Sequence, residues 1–237
     1  MSFVIRSYPR CGTHMLRTAL STHPEIVCHN EVFNPDVSGD ALKELSAEEL
    51  YARHTGPAEG FVVHGYTEIE KFAESHKTHE LWPIIERERP QLLVIEREDL
   101  LRRAFSVCIA RKTNRWHSWK TEQPKALISP ELKKGDVRWH LQAAWESRLA
   151  GRRLFPWATF ITYEQLVDDW DHRIVQIQQL CGATRILPIK PKTRKQDNRP
   201  INEMVSNYEF LRNEFKQTEY FQWFTLAERN TEQRAVG

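Results

Sequence analysis

The sequence predicts an α/β fold: a mostly parallel central sheet with helices on both faces. Two observations predict it. Short runs rich in Val, Ile, Phe and Leu recur along the chain, and the stretches between them carry apolar residues at helical spacing. No repeat and no linker-like composition interrupts the pattern, so residues 1–237 read as a single domain. The first strand is Ser2–Ser7, followed by a tight turn and a helix burying Met15, Leu16, Ala19 and Leu20. A short strand near Ile26–His29 comes next, then Phe61–Tyr66, Leu92–Arg97 and Thr159–Tyr163. After Arg97 a helix begins near Asp99, a residue suited to capping it. Val137, Leu141, Ala144, Trp145 and Leu149 trace another helix. Leu166, Val167, Trp170, Ile174, Ile177 and Leu180 trace one that stops at Gly182. A last helix starts after Pro200 and buries Ile201, Met204, Val205, Tyr208 and Leu211. Residues 36–57 and 112–135 are polar and read as excursions from the sheet that shape an acceptor cleft.

Composition narrows the classes of function. An apolar content of 40% with eight tryptophans belongs to a packed globule. The net charge of +2 is nearly balanced, so an anion site must be a local cluster, and no nucleic-acid surface is expected. No window approaches the roughly 18 uninterrupted apolar residues of a membrane span. The N-terminus enters strand-like sequence at once, which leaves no room for a signal peptide. Cysteines 11, 28, 108 and 181 lack metal-type spacing and read as reduced thiols of a cytoplasmic protein. Neither a metal site nor an oligomeric state is legible.

The turn Ser7-Tyr8-Pro9-Arg10-Cys11-Gly12-Thr13-His14 is the most informative stretch. It sets backbone N–H groups, a glycine, a hydroxyl and an arginine at the positive end of a helix, an arrangement suited to an anion. Arg10 offers a planar fork to phosphate or sulfonate oxygens, Gly12 lets the backbone approach, and Thr13 can donate a hydrogen bond. The nucleotide-triphosphatase pattern G-x-x-x-x-G-K-[ST] is absent. The stretch closely resembles the phosphosulfate-binding loop of the sulfotransferase family, [ST]-x-P-[KR]-[SC]-G-T-T. Only His14 departs from it, standing where a second threonine is usual.

Three further segments extend the resemblance. Glu25–Phe33 is similar to the strand and turn that present a glutamate and an aromatic in carbohydrate sulfotransferases, which implies Glu31 as general base and Phe33 as the aromatic beside it. His14 and His29 compete for the same role, because other branches use histidine. Leu92–Ser106 resembles the segment that binds the nucleotide 3′-phosphate, which implies Arg97 and Ser106 in that role. Arg102 and Ser106, four apart on a helix, form an alternative pair. Pro191–Gln196 resembles the basic flap over the phosphates, implying Thr193, Arg194 and Lys195 as donor contacts. Aryl and steroid enzymes often place a tryptophan after the loop to stack the adenine, where this chain has Met15. Trp116-His117-Ser118-Trp119 is similar to an acceptor-side or structural element of bacterial relatives.

The resemblance thus implies a P-loop-like sulfotransferase fold. It also implies transfer of a sulfonate group from 3′-phosphoadenosine 5′-phosphosulfate (PAPS) to a hydroxyl or amine of a small, carbohydrate-like acceptor. The donor-binding residues would be Tyr8, Pro9, Arg10, Cys11, Gly12, Thr13, His14, Arg97, Ser106, Thr193, Arg194 and Lys195, with Arg10, Glu31 and His14 catalytic and no metal required. Two rivals remain. Cys11–Thr18 satisfies C-x5-R-[ST], the signature of cysteine-dependent phosphatases, with Cys11 as nucleophile and Arg17 as anion ligand. A non-catalytic nucleotide- or RNA-binding module would instead bind without turnover and with steep salt dependence.

Overall fold

The first strand, β1, spans Phe3–Ser7 and is buried along its whole length. Alternate residues of a strand face opposite sides of its sheet, so helices must cover β1 on both. In the computed structural model, which describes residues 2–33, 44–55, 59–64, 78–116, 118–123, 126–193 and 197–236, β1 lies at the centre of a parallel sheet. Its companions are β2 (Val27–His29), β3 (Glu59–His64), β4 (Gln91–Glu96) and β5 (Thr159–Thr162), in the order β2-β3-β1-β4-β5. All four ladders are parallel, with Ser7 opposite both His64 and Ile95, and Glu96 opposite Thr162. The ends of β1, β3, β4 and β5 therefore lie along one carboxyl edge, where ligands of open α/β sheets bind, while β2 stops earlier, level with Val4 of β1.

The helices are α1 (Thr13–Leu20), α2 (Ala47–Arg53), α3 (Thr78–Glu88), α4 (Leu100–Thr113) and α5 (Lys134–Leu154), followed by α6 (Tyr163–Asp168), α7 (Trp170–Leu180), a 3₁₀ turn at Ile201–Glu203, α8 (Tyr208–Phe215) and α9 (Phe221–Val236). The single helix expected over Leu166–Leu180 is two. A capping box of Thr162 and Gln165 opens α6, and Asp169, at φ −133° and ψ 51°, breaks the run before α7. Gly182, at φ 82°, ends the second piece as expected. The helix expected after Pro200 is a 3₁₀ turn followed by α8, and all five of its expected apolar residues are buried. The observed β3 begins at Glu59, and Tyr66, expected as the end of that strand, lies outside the described residues.

The chain divides into two compact units, Met1–Glu96 with Glu146–Lys192, and Arg97–Trp145 with Thr193–Gly237. The first holds the whole sheet and a core of Val4, Leu50, Leu81, Trp82, Ile85, Leu92, Val94 and Phe155. Within it, the buried Arg6 donates to the Ser147 carbonyl and hydroxyl and lies under the Trp82 ring. The second unit is held by an aromatic cluster of Phe105, Tyr208, Phe215 and Phe224. Arg103, fully buried there, donates to the His140 carbonyl. Among the described residues no helix is long and apolar enough to cross a membrane, and all four cysteines are buried and outside any disulfide.

Candidate functional site

In the first unit the chain leaves β1 at Ser7 and re-enters regular structure at Thr13, so Tyr8–Gly12 forms the turn at the carboxyl edge. Two residues of this turn are left-handed, Arg10 at φ 70° and Gly12 at φ 87°. The second is ordinary for glycine. The first is uncommon for a residue with a side chain and costs on the order of 1–3 kcal/mol, the kind of strain that collects at ligand-gripping sites. Gly12 caps α1 without a side chain, and its carbonyl accepts the Leu16 N–H at 3.1 Å. No acidic residue stands in the first turn of α1 to neutralise its positive end.

Gly12 is also a place of close approach. A Cβ there would lie 2.6 Å from Cδ2 and 3.1 Å from Cε2 of Tyr163, the first residue of α6. Sequence reading missed Tyr163, since nothing in its surroundings marks it out; only the parallel sheet brings the end of β5 against the turn after β1. Tyr8, Cys11 and Thr13 are buried, while Pro9, Arg10 and His14 are half-buried. His14 occupies the first turn of α1.

The second segment leaves β2, which ends level with Val4 of β1. β2 ends at His29, and Glu31 follows two residues later, half-buried. Phe33, which the family pattern implies beside the base, is buried in a core cluster with Val4, Val32 and Trp82. His29 Nε2 stands 3.7 Å from Glu59 Oε2, and the His29 ring meets His54 edge-on at 4.5 Å between centroids.

The phosphatase geometry is not formed. Residues 13–20 are helix, so they do not wrap an anion with successive backbone N–H groups. Arg17 lies a turn into that helix beside Cys28 of β2, whose thiol is pushed up to about 12 by burial against the opposing pull of the Arg17 charge.

In the second unit, Arg97 is buried and Asp99 caps α4, its carboxylate accepting the Arg102 N–H at 2.9 Å. Ser106 sits half-buried in α4. Arg102, the alternative partner of Ser106, is engaged elsewhere. Its guanidinium donates to the Arg199 carbonyl at 3.0 Å and the Met204 sulfur at 3.4 Å, with Nε 3.5 Å from Asp99. A buried charge so held is a structural tie. Thr193 is buried and bridges to Trp119. Arg194 and Lys195, like His117, lie outside the described residues.

The fold as a whole is shared with solved structures. A sulfotransferase from Alicyclobacillus acidocaldarius matches 96% of this chain and 94% of its own at a TM-score of 0.53 and 15% identity. A mouse sulfotransferase complexed with PAP matches 96% of this chain and 89% of its own at a TM-score of 0.50 and 12% identity. The chain has the sulfotransferase fold. The resemblance first read from four short segments thus extends, as fold, over nearly the whole length. Two forms of nodulation protein H from Rhizobium meliloti are each 24% identical over 95% of this chain and 95% of their own. No protein-family model matches. The turn Tyr8–Gly12 follows the carboxyl end of β1, and both it and β2 belong to the first unit.

Proposed function

We propose that this protein is a PAPS-dependent sulfotransferase acting on a hydroxyl or amine of a small, carbohydrate-like acceptor, in the cytoplasm. The observation that carries the reading is the turn at Tyr8–Gly12, with left-handed Arg10 and Gly12 leading into the uncapped N-terminus of α1. A strained arginine and a glycine with no room for a Cβ fit an anion gripped by backbone and guanidinium together. The fold likeness supports it, and one of the fold's solved members was complexed with PAP.

The donor supplies an activated sulfonate. In the proposed reaction a bond forms between its sulfur and the acceptor oxygen while the bond from sulfur to the bridging phosphate oxygen breaks, leaving 3′,5′-adenosine bisphosphate. Arg10 and the N-terminus of α1 stabilise the charge that develops on the bridging and sulfonate oxygens. Glu31 takes the acceptor proton, which an unassisted hydroxyl would hold at neutral pH. Tyr8, Pro9, Cys11, Thr13 and His14 shape the donor loop. Arg97 and Ser106 take the 3′-phosphate, with Thr193, Arg194 and Lys195 contributing to the phosphates as the family pattern implies. His29 is the alternative base, favoured by the carboxylate of Glu59 at 3.7 Å.

Calorimetric titration with 3′,5′-adenosine bisphosphate tests the donor assignment. Wild type should bind, and Arg10→Ala should lose on the order of 2–3 kcal/mol of affinity or transition-state energy. No binding by wild type, or turnover of Arg10→Ala within about twofold of it, contradicts the reading.

A further inference from the structure

The end of β2 carries a cluster in which the proposed chemistry gives no part to His54. His54 closes α2, its backbone N–H donating to the Tyr51 carbonyl, and this places its ring edge-on to His29 at 4.5 Å between centroids. Glu59, the first residue of β3, faces His29 from the neighbouring strand. Among the described residues the titratable and charged groups around His54 are His29 of β2, Arg53 of its own helix and Glu59 of β3. Nδ1 of His54 and Nε2 of His29 are buried with no hydrogen-bond partner among the described residues, Glu59 Oε2 standing 3.7 Å from the latter. Protonating His54 makes both of its ring nitrogens donors, and a buried donor left without an acceptor is costly. A proton on His54 would stand close to the Arg53 charge.

The sequence adds what makes this matter. β2 is three residues long, and Glu31 follows it by two. So short a strand holds its end poorly by ladder bonds alone.

We propose that His54 is a positioning residue, whose ring, packed against His29 beside Glu59, holds the end of β2 and the turn carrying Glu31, and releases them when the His54 imidazole is protonated. This rests on the reading of Glu31 as the base. Burial, His29 and Arg53 all hold His54 below the ordinary histidine range, so the release belongs on the acid side of neutrality.

The test uses the full chain and three variants. Hydrogen exchange of residues 27–33, corrected for intrinsic rate, is the readout that needs no activity. His54→Ala should raise it about tenfold at pH 7, while residues 8–13 stay unchanged. His54→Phe, which keeps an aromatic edge but cannot titrate, should match wild type at pH 7 and remain protected at pH 5.5, where wild type loosens. Ring-proton titration should put His54 below an ordinary histidine and move it upward in His29→Gln. Sulfonate transfer supplies the second readout: His54→Ala should lower kcat about tenfold with the donor KM held within twofold. Should His54→Ala fail to fold, the comparison of His54→Phe with wild type at pH 5.5 decides alone. Exchange of residues 27–33 that is indifferent to pH and to His54→Phe overturns the proposal. If exchange responds as stated while Glu31→Gln keeps full turnover, the positioning of the turn stands and the assignment of Glu31 as base is what fails.

Discussion

Replacing Gly12 by alanine probes the donor loop through its backbone, with no charge removed. At φ 87° an L-residue in place of glycine costs on the order of 1–2 kcal/mol. The new Cβ would stand 2.6 Å from Cδ2 and 3.1 Å from Cε2 of Tyr163, and an aromatic ring, unlike a lysine tip, moves only by shifting its surroundings. Overpacking of this kind adds roughly 1–3 kcal/mol. The total is about 2–5 kcal/mol, divided between lost stability and a displaced turn. Urea unfolding reads the first part, and titration with 3′,5′-adenosine bisphosphate reads the second, about tenfold in affinity for each 1.4 kcal/mol. The same substitution in a Tyr163→Ala background separates the causes, because removing the ring removes the clash and leaves the dihedral cost. The cycle should show a coupling of about 1 kcal/mol or more. A Gly12→Ala penalty under about 0.5 kcal/mol, or one equal in both backgrounds, would refute the account of a turn closed down on Tyr163.

Glu31→Gln should keep donor-analogue affinity while turnover falls by roughly 10²–10⁴, with His14→Ala and His29→Ala as controls; an active Glu31→Gln beside one inactive histidine variant moves the base to that histidine. Arg97→Ala should weaken 3′,5′-adenosine bisphosphate far more than adenosine 5′-monophosphate, and equal losses would remove it from the 3′-phosphate. Cys11→Ser should leave sulfonate transfer largely intact, whereas loss of all turnover would restore the thiolate mechanism. His140, buried near the Arg103 and Arg111 charges, is held down to about 3, so the unfolded chain binds a proton that the folded one refuses. Stability should therefore fall as pH drops below the ordinary histidine value of about 6.5, by up to ~1.4 kcal/mol per pH unit until about pH 3, and His140→Phe should flatten that slope in urea titrations. A single domain over residues 1–237 requires one cooperative transition in calorimetry, and two resolved transitions would mean that the two units unfold separately.

Local features were legible in the sequence because local physics decides them. The apolar run Phe3-Val4-Ile5, shortly before Tyr-Pro-Arg-Cys-Gly, favours strand then turn, and β1 and the turn after it stand where that pattern puts them. Asp99 caps its helix and Gly182 ends another, since a carboxylate can take a free N–H and only glycine readily turns left-handed. Three of the described helices escaped notice. α2 lies within the polar stretch 36–57, Pro83, a breaker by rule, sits inside α3, and the aromatic-rich α9 shows no clean polar face. What depends on distant partners had to wait for tertiary structure. The order β2-β3-β1-β4-β5 comes from pairings between residues tens of positions apart. Those pairings press Tyr163 onto Gly12 and bring His54 to His29. Likewise only the fold sets Phe33 among Val4, Val32 and Trp82, and brings Arg102 to Arg199 and Met204. A side chain's type states what bonds it can make; only the folded chain determines which partners are within reach.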